Sequence, residues 1–239
     1  MILQKTGFTI IAHRGNLSGP SPSHENSLSA LDRALAQGFS IETDIRKSGS
    51  GKFYISHDRA AWTGASDAAA YCRSWRRYPD RPVFLNIKEL GYEVELLRFL
   101  EDQGVIGQVR LFDMELLEKR KGKTLKLFRK LHASVGLLTR VSDRGEEINE
   151  GLGRAEAGGV WLDEFDRPWA GRREIRQIQR SGKKIYAVSP ELHGFGLEAA
   201  RRRWRDFLEW GADGICTDYP LELAQIAHGR IASVPTAAR

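Results

Sequence analysis

Eight short apolar runs recur along this chain with helix-like segments between them, and that alternation restricts its fold more than any other feature. The runs are Phe8–Ala12, Phe39–Ile41, Val83–Ile87, Val109–Phe112, Val135–Leu138, Val160–Leu162, Ile185–Val188 and Gly214–Thr217. Each is bounded by turn residues or charges, the pattern of a buried strand. Between them, Ser27–Gln37 carries Leu28, Leu31 and Leu35 on one helical face with Gly38 as a stop. Tyr92–Gln103 does the same with Val94, Leu97 and Leu100 ahead of Gly104. Ile175 and Ile178 ahead of Gly182, and Phe207, Leu208 and Trp210 ahead of Gly211, repeat the arrangement. Strand, helix, glycine, strand, eight times over, predicts an α/β protein with a closed parallel (β/α)8, or TIM-type, barrel. The competing arrangement, an open doubly wound sheet, more often has about five to seven strands and a Gly-rich first turn. No G-x-G-x-x-G or Walker-type loop is present.

The interval from Asp44 to Pro82 is the longest. After the turn Ser48-Gly49-Ser50-Gly51, residues Lys52–Asp58 alternate as in a small hairpin, and a helix is predicted over about Ser66–Arg76. This hairpin-plus-helix insertion follows the second strand, so in a barrel it stands at the active-site face. Residues 1–228 read as a single barrel domain, and 229–239 as a short tail, rich in Gly, Pro and Ala, that is expected to fray.

Composition removes several classes. Hydrophobic residues at 41% and charged residues at 28% exclude a disordered chain. No apolar stretch approaches the roughly 18 residues that span a bilayer, and Phe8–Ala12 is too short for a signal-peptide core. Cys72 and Cys216 are too few for a disulfide framework or a cysteine-based zinc site. The expectation is a soluble, cytoplasmic protein of undetermined oligomeric state. The 37 basic and 31 acidic side chains leave a formal charge of +6. Runs such as Lys119-Arg120-Lys121 and Arg201-Arg202-Arg203 suit solvated helix faces, acids are interleaved, and no zinc-finger or RNP-type signature appears. Nucleic acid is therefore not an expected partner, whereas a positive field favours a small anionic substrate.

The chemistry sits at strand ends. His13-Arg14-Gly15 closes the first strand and Glu42-Thr43-Asp44 the second. Strand side chains alternate, so Glu42 and Asp44 point the same way. Two carboxylates converging at a barrel mouth either hold a hard divalent cation or serve as structural ion-pair acids. His57 follows the predicted hairpin. His13 and His57 are two imidazoles on different elements facing one mouth, an arrangement that suits in-line displacement at phosphorus with one acid and one base. His132, His193 and His228 are read as structural. Trp62, Trp161 and Trp169, near loops after strands, are open between headgroup contact and barrel packing.

Ala12-His13-Arg14-Gly15, His24-Glu25-Asn26-Ser27, Ile41-Glu42-Thr43-Asp44-Ile45 and Ser56-His57-Asp58 stand in order over about the first quarter of the chain. They resemble the signature of the glycerophosphodiester phosphodiesterase family, within the PI-PLC-like phosphodiesterase superfamily, whose motifs read AHRG, PENT/S, E-x-D and HD. Gly214–Pro220 is similar to that family's last strand, ending in T-D-x-P. The resemblance implies a TIM-type barrel, a divalent metal (Mg2+ or Ca2+, with Mn2+ also fitting), cleavage of a phosphodiester and a place in lipid metabolism. By motif matching, His13 and His57 would be the acid/base pair, Glu42 and Asp44 metal ligands, and Arg14 a phosphate-binding residue. Glu25 would orient Arg14 or the metal shell, unless it merely opens a helix.

One departure matters. The family carries a third acidic ligand two residues before a lysine, as E-x-K. Here Lys88 matches the lysine, which can offer a point charge to phosphate, but Asn86 takes the acid's place. An amide oxygen can coordinate Mg2+ or Ca2+ without contributing charge. Glu89 points to the opposite strand face, and Asp113, Asp163 and Glu191 stand near strand ends as alternatives to complete the shell. The resulting expectation is metal-dependent hydrolysis of a glycerophosphodiester or related small organic diester, directly or through a cyclic phosphate. The alternative is a non-catalytic phosphate-binding barrel with a degraded metal site.

Overall fold

The computed structural model describes residues 7–233, and in it all eight apolar runs form strands. The elements in chain order begin with β1 (Thr9–His13), α1 (Leu28–Ala36), β2 (Ser40–Lys47), β3 (Phe53–Ile55), α2 (Ala68–Trp75) and β4 (Val83–Ile87). Then come α3 (Glu93–Asp102), β5 (Val109–Phe112), α4 (Lys123–Leu131), β6 (Gly136–Ser142), α5 (Ile148–Leu152) and β7 (Gly159–Asp163). The series ends with α6 (Arg172–Arg180), β8 (Lys184–Val188), α7 (Leu197–Trp210), β9 (Gly214–Thr217) and α8 (Pro220–Ser233). β1 pairs in parallel with both β2 and β9, which closes an eight-stranded ring in the order β1-β2-β4-β5-β6-β7-β8-β9. This is a TIM barrel.

The expected hairpin after the second strand is present, formed by β3 outside the ring running antiparallel to the end of β2 about the turn at 48–51, with Ile55 opposite Ile45 and Phe53 opposite Lys47. Two other expectations are corrected in detail. β2 and β6 run several residues past their apolar runs, because their C-terminal halves carry polar side chains that face the mouth. The last helix continues past the boundary put at residue 228, to Ser233; the rest of the expected tail lies outside the described residues. The insertion helix is present as α2, capped by Asp67, whose side chain accepts from Ala69 N–H.

Two apolar bodies hold the barrel. One lies between the strands and the helices, where Ile41, Leu85, Leu111, Val160 and Ile215 meet buried residues such as Leu31, Trp75, Leu100 and Trp204. The other is a plug inside the ring, made of Ile11, Phe84, Phe112, Leu138, Trp161, Val188 and Cys216. Because successive strand side chains alternate, the residue two positions beyond a plug residue also faces inward but sits nearer the mouth. Ile11 is followed in this way by His13, Phe84 by Asn86, Leu138 by Arg140 and Trp161 by Asp163. The plug is therefore the floor on which the polar layer stands.

Phe84 is fully buried and meets Trp161 and Tyr186 at ring-centroid distances of 5.7 and 4.7 Å. Phe84→Ala is expected to destabilise the protein by about 3–5 kcal/mol through lost burial and a residual cavity. Urea unfolding measures this, and a loss below about 1 kcal/mol would mean the plug does not support the barrel.

Candidate active site

The chain leaves β1 through an irregular turn. Arg14 (φ 49°) and Gly15 (φ 80°) both have positive φ. A Cβ on Gly15 would lie 2.8 Å from the backbone of Ala30 and Leu31, so only glycine lets this turn rest on the start of α1. Arg14 is thereby placed over the mouth, where its Nη1 donates to Glu25 Oε1 at 2.8 Å. Glu25 thus orients Arg14, one of the roles open to it from sequence. Asn26, also at positive φ (58°), ties this loop to β2: it accepts from Thr43 Oγ1 at 2.6 Å and donates to Asp44 Oδ2 at 2.8 Å.

The two carboxylates of β2 are both buried but differ electrically. Asp44 Oδ1 faces Lys88 Nζ at 3.2 Å and Oδ2 faces Arg14 Nε at 3.4 Å. Burial opposes its ionisation, yet Lys88, Arg14 and the Asn26 hydrogen bond outweigh burial and hold its carboxyl below the usual range. Glu42 lacks such close cations. Burial and the neighbouring Asp44 push its carboxyl up to about 7, and its Oε2 has no hydrogen-bond partner.

The two predicted imidazoles are held by different means. His13 is fixed from behind by Asp218, whose Oδ1 lies 2.7 Å from Nδ1, while Asn16 donates to the same oxygen at 2.8 Å. With Nδ1–H donated to Asp218, the free ring nitrogen is Nε2, which lies 3.9 Å from Glu42 Oε2. Burial works against protonation of His13, but Asp218 and Glu42 together raise its pKa. His57, partly exposed on the loop after β3, is pushed the other way by burial and by the charges of Arg14 and Lys88. Its backbone carbonyl accepts from Arg46 Nε at 3.0 Å and Nη2 at 2.6 Å, and Arg46 Nη1 donates to Glu89 Oε1 at 2.7 Å. Glu89 lies beyond the end of β4 and lines the neighbouring groove rather than the mouth cavity, and it secures the His57 loop through Arg46.

The opposite wall carries a network that the sequence reading did not assemble. Arg140, buried at the end of β6, donates through Nε to Asp113 Oδ1 at 2.7 Å and through Nη1 to Asp163 Oδ2. Asn86 Nδ2 donates to Asp113 Oδ2 at 2.9 Å, and His193 Nε2 lies 2.5 Å from Asp163 Oδ1. Asp113 and Asp163 are thus paired with Arg140 rather than free to complete a metal shell. Glu191 accepts from Ser189 and Thr217 hydroxyls and from the Asp218 N–H, so it supports β9. His193, a structural residue by its sequence context, lines the same cavity as His13. Among the tryptophans, Trp161 lines that cavity. Trp169 donates to the Asp163 carbonyl at 2.8 Å, and Trp62 lies in a separate groove under Lys52 Nζ, 3.8 Å from its ring centroid.

All seven predicted site residues, His13, Arg14, Glu42, Asp44, His57, Asn86 and Lys88, line one cavity of about 360 Å³ at the barrel mouth. Their donors suit a hard divalent cation in kind: carboxylate and amide oxygens, of which Glu42 Oε2 and Asn86 Oδ1 are buried without a partner. Because Asn86 turns its amide nitrogen to Asp113, it is the carbonyl oxygen that remains available. Asp44 is already shared with Lys88 and Arg14, and among the described residues no group of three or more His, Cys, Asp or Glu side chains is arranged to hold a metal. The set therefore fits a cation held by fewer charges than a three-carboxylate site provides.

Fold and cavity together define a (β/α)8 barrel with cationic, carboxylate and imidazole groups converging at the C-terminal ends of its strands. Solved structures with this architecture include a glycerophosphoryl diester phosphodiesterase from Parabacteroides distasonis, 16% identical, with a TM-score of 0.72 over 96% of this chain and 88% of that one. A phosphodiesterase from Oleispira antarctica, solved in complex with the product sn-glycerol-3-phosphate, is 19% identical with a TM-score of 0.65, covering 94% of this chain and 97% of its own. The tryptophan synthase complex from Pyrococcus furiosus is also similar, at 15% identity and a TM-score of 0.55 over 92% and 90% of the two chains. At these identities the likeness establishes the fold, which serves more than one chemistry. No protein-family model and no curated protein matches the chain.

The Arg46 clamp is the testable part of this geometry. Arg46→Ala removes both donors from the His57 carbonyl, so backbone amide exchange across residues 56–60 is expected to speed by about tenfold or more while the ring strands stay protected. Unchanged exchange in that loop would show that Arg46 does not hold it.

Proposed function

We propose that this protein hydrolyses a phosphodiester, most specifically a glycerophosphodiester or a related small organic diester. The observation that carries the reading is the meeting of two cations, two carboxylates and two oppositely shifted imidazoles in one cavity. A mere phosphate binder needs the cations but not an acid/base pair. The titration of one histidine upward and the other downward is the division of labour that proton transfer at both ends of a displacement requires.

In this mechanism Arg14 and Lys88 receive the nonbridging phosphate oxygens and neutralise their charge in the transition state. His57, whose neutral form is favoured, accepts the proton of the attacking oxygen. His13, with Nδ1–H donated to Asp218, delivers the proton on Nε2 to the departing alkoxide. The attacking oxygen is a water or a hydroxyl of the substrate's own alcohol. Glu42, Asp44 and Asn86 would hold a divalent cation, Mg2+ or Ca2+, which when bound supplies further positive charge to the phosphate. No helix among the described residues is long and apolar enough to cross a membrane. Both cysteines are free and buried, which accords with the reducing cytoplasm as the proposed location.

Turnover of a diester panel with Mg2+, Mn2+ or Ca2+, and with chelator, tests the reading. Hydrolysis is expected with metal and not after full chelation. His57→Ala is expected to lower kcat by about 10²-fold or more. A base must be neutral to accept, and the lowered pKa of His57 keeps it neutral further into acid, so the acid limb of kcat/KM should fall below 6.5, the ordinary histidine value. A limb above that value, or one unmoved in the His57 variant, would remove His57 as the base. Binding of phosphate esters with no turnover of any diester would instead favour the degraded-site alternative, which the Asn86 amide motivates.

Asn86→Glu is expected to tighten binding of the metal alone, read by calorimetry, because it adds an anionic donor. It also sets a carboxylate against Asp113, so the metal-free variant should unfold more readily and recover when metal is added. Metal affinity equal to that of the parent would place Asn86 outside the ligand set.

A further inference from the structure

The connection from β5 to α4 stands at the rim of the mouth and carries two features that the mechanism above does not use. The first is apolar. Directly after β5, a 3-10 turn over Met114–Leu116 buries Met114 and Glu115. The two residues that follow them are left outside, Leu116 at 51% and Leu117 at 41% exposure. Only five large apolar side chains stand exposed among the described residues, so this adjacent pair is a local concentration. Leu116 also lines the cavity that holds His13 and Lys88.

The second feature is charge. Residues 119–130 hold seven of the chain's 37 basic side chains and none of its 31 acidic ones. Without that stretch the formal charge would be −1 instead of +6, so the whole basic excess is local. α4 buries Thr124, Leu125 and Phe128, which turns Lys123, Lys126 and Lys130 to solvent. Lys119 and Arg120 are exposed just before it, and none of these five has an acidic partner among the described residues. The nearest acid in the chain, Glu118, is committed elsewhere: its carboxylate accepts from the Lys123 N–H at 3.2 Å and from the Thr124 N–H, capping α4. Barrel helices run back from the mouth, so the first turn of α4 and the loop before it are the parts that stay at the rim.

Exposed leucines beside unneutralised cations complement an anionic bilayer surface, where apolar insertion and attraction to headgroups add. Nucleic acid would match the charge but not the leucines, and the patch offers no ring for a base to stack on, since Phe112 and Phe128 are buried. We propose that the β5–α4 rim docks this protein on an anionic lipid bilayer. Leu116 and Leu117 enter the interface, and Lys119, Arg120 and Lys123 meet the headgroup phosphates. The barrel mouth then faces the membrane. The contact is peripheral and reversible, and it does not depend on which reaction the cavity performs.

Co-sedimentation of the full chain with vesicles tests this, using phosphatidylcholine alone or mixed with phosphatidylserine. The wild type is expected to bind the mixed vesicles about tenfold or more tightly than the neutral ones. Raised salt should weaken that binding without abolishing it, because the leucines contribute a part that is not screened. Replacing Lys119, Arg120 and Lys123 together by Gln is expected to lower affinity for the mixed vesicles about tenfold or more. Removing the same charge from α6, as Arg173→Gln, Arg176→Gln and Arg180→Gln, is expected to leave it within about twofold. Leu116→Ser with Leu117→Ser should remove the salt-resistant part. Equal binding of the wild type to the two kinds of vesicle overturns the inference without any variant. Equal losses in the rim and α6 variants overturn it as well, since net charge alone would then account for the attraction. Salt-resistant binding that survives in the leucine variant does the same. Retention on single-stranded DNA without sedimentation on mixed vesicles would identify a nucleic-acid surface instead.

Discussion

A closed parallel ring lets side chains point only two ways, toward the helices or toward the axis, and the axis has room for few of them. In this barrel the lower inward layer is apolar and fully buried, with Phe84, Phe112 and Trp161 packed ring against ring. Everything polar on the axis must therefore lie above it, at the C-terminal ends of the strands. His13, Asn86, Arg140 and Asp163 each stand two residues beyond a plug residue. The chemistry of the mouth and the packing of the floor are thus set by the same two-residue period.

Placing charges on an apolar floor creates the second constraint, since a buried charge without a partner is costly. The two halves of the mouth meet it differently. On the side of β5 to β7, Arg140 is matched by two carboxylates and the network is closed. On the side of β1, β2 and β4, Asp44 is satisfied by Lys88 and Arg14, but Glu42 Oε2 and Asn86 Oδ1 are left unpaired. At the mouth, the unmet carbonyl and carboxylate oxygens lie on the side that carries Arg14 and Lys88, and the closed network lies across from it.

Much of this is legible in the sequence because it is local. Each strand run ends against a polar or charged residue, several helices stop at glycine, and Glu42 with Asp44, or Lys88 two beyond Asn86, declare a shared face by spacing alone. What the sequence does not mark depends on pairing between distant strands. Arg140 meets Asp113 and Asp163 across separations of 27 and 23 residues, and Asp163 meets His193 across 30. No periodicity marks such partners. The polar residue two beyond Leu138, and the one two beyond Trp161, were available as a signal, since a charged side chain that continues a plug row must face the mouth. His193 gave no signal of this kind, because it stands on a turn and not on a strand. The strand bounds of β2 and β6 were underestimated for a related reason: their inward polar residues interrupt the apolar run that marks a strand.

His13 and His57 belong to different mechanical bodies. His13 is part of the ring, fixed by its neighbours in β2 and β9 and by Asp218. His57 follows an outer strand that pairs with the ring at β2, with Arg46 gripping its carbonyl. Natural selection can thus act on the two imidazoles separately. Substitutions in the appended strand and its clamp would move the His57 ring while sparing barrel closure, so the spacing of the two imidazoles is adjustable on an intact scaffold.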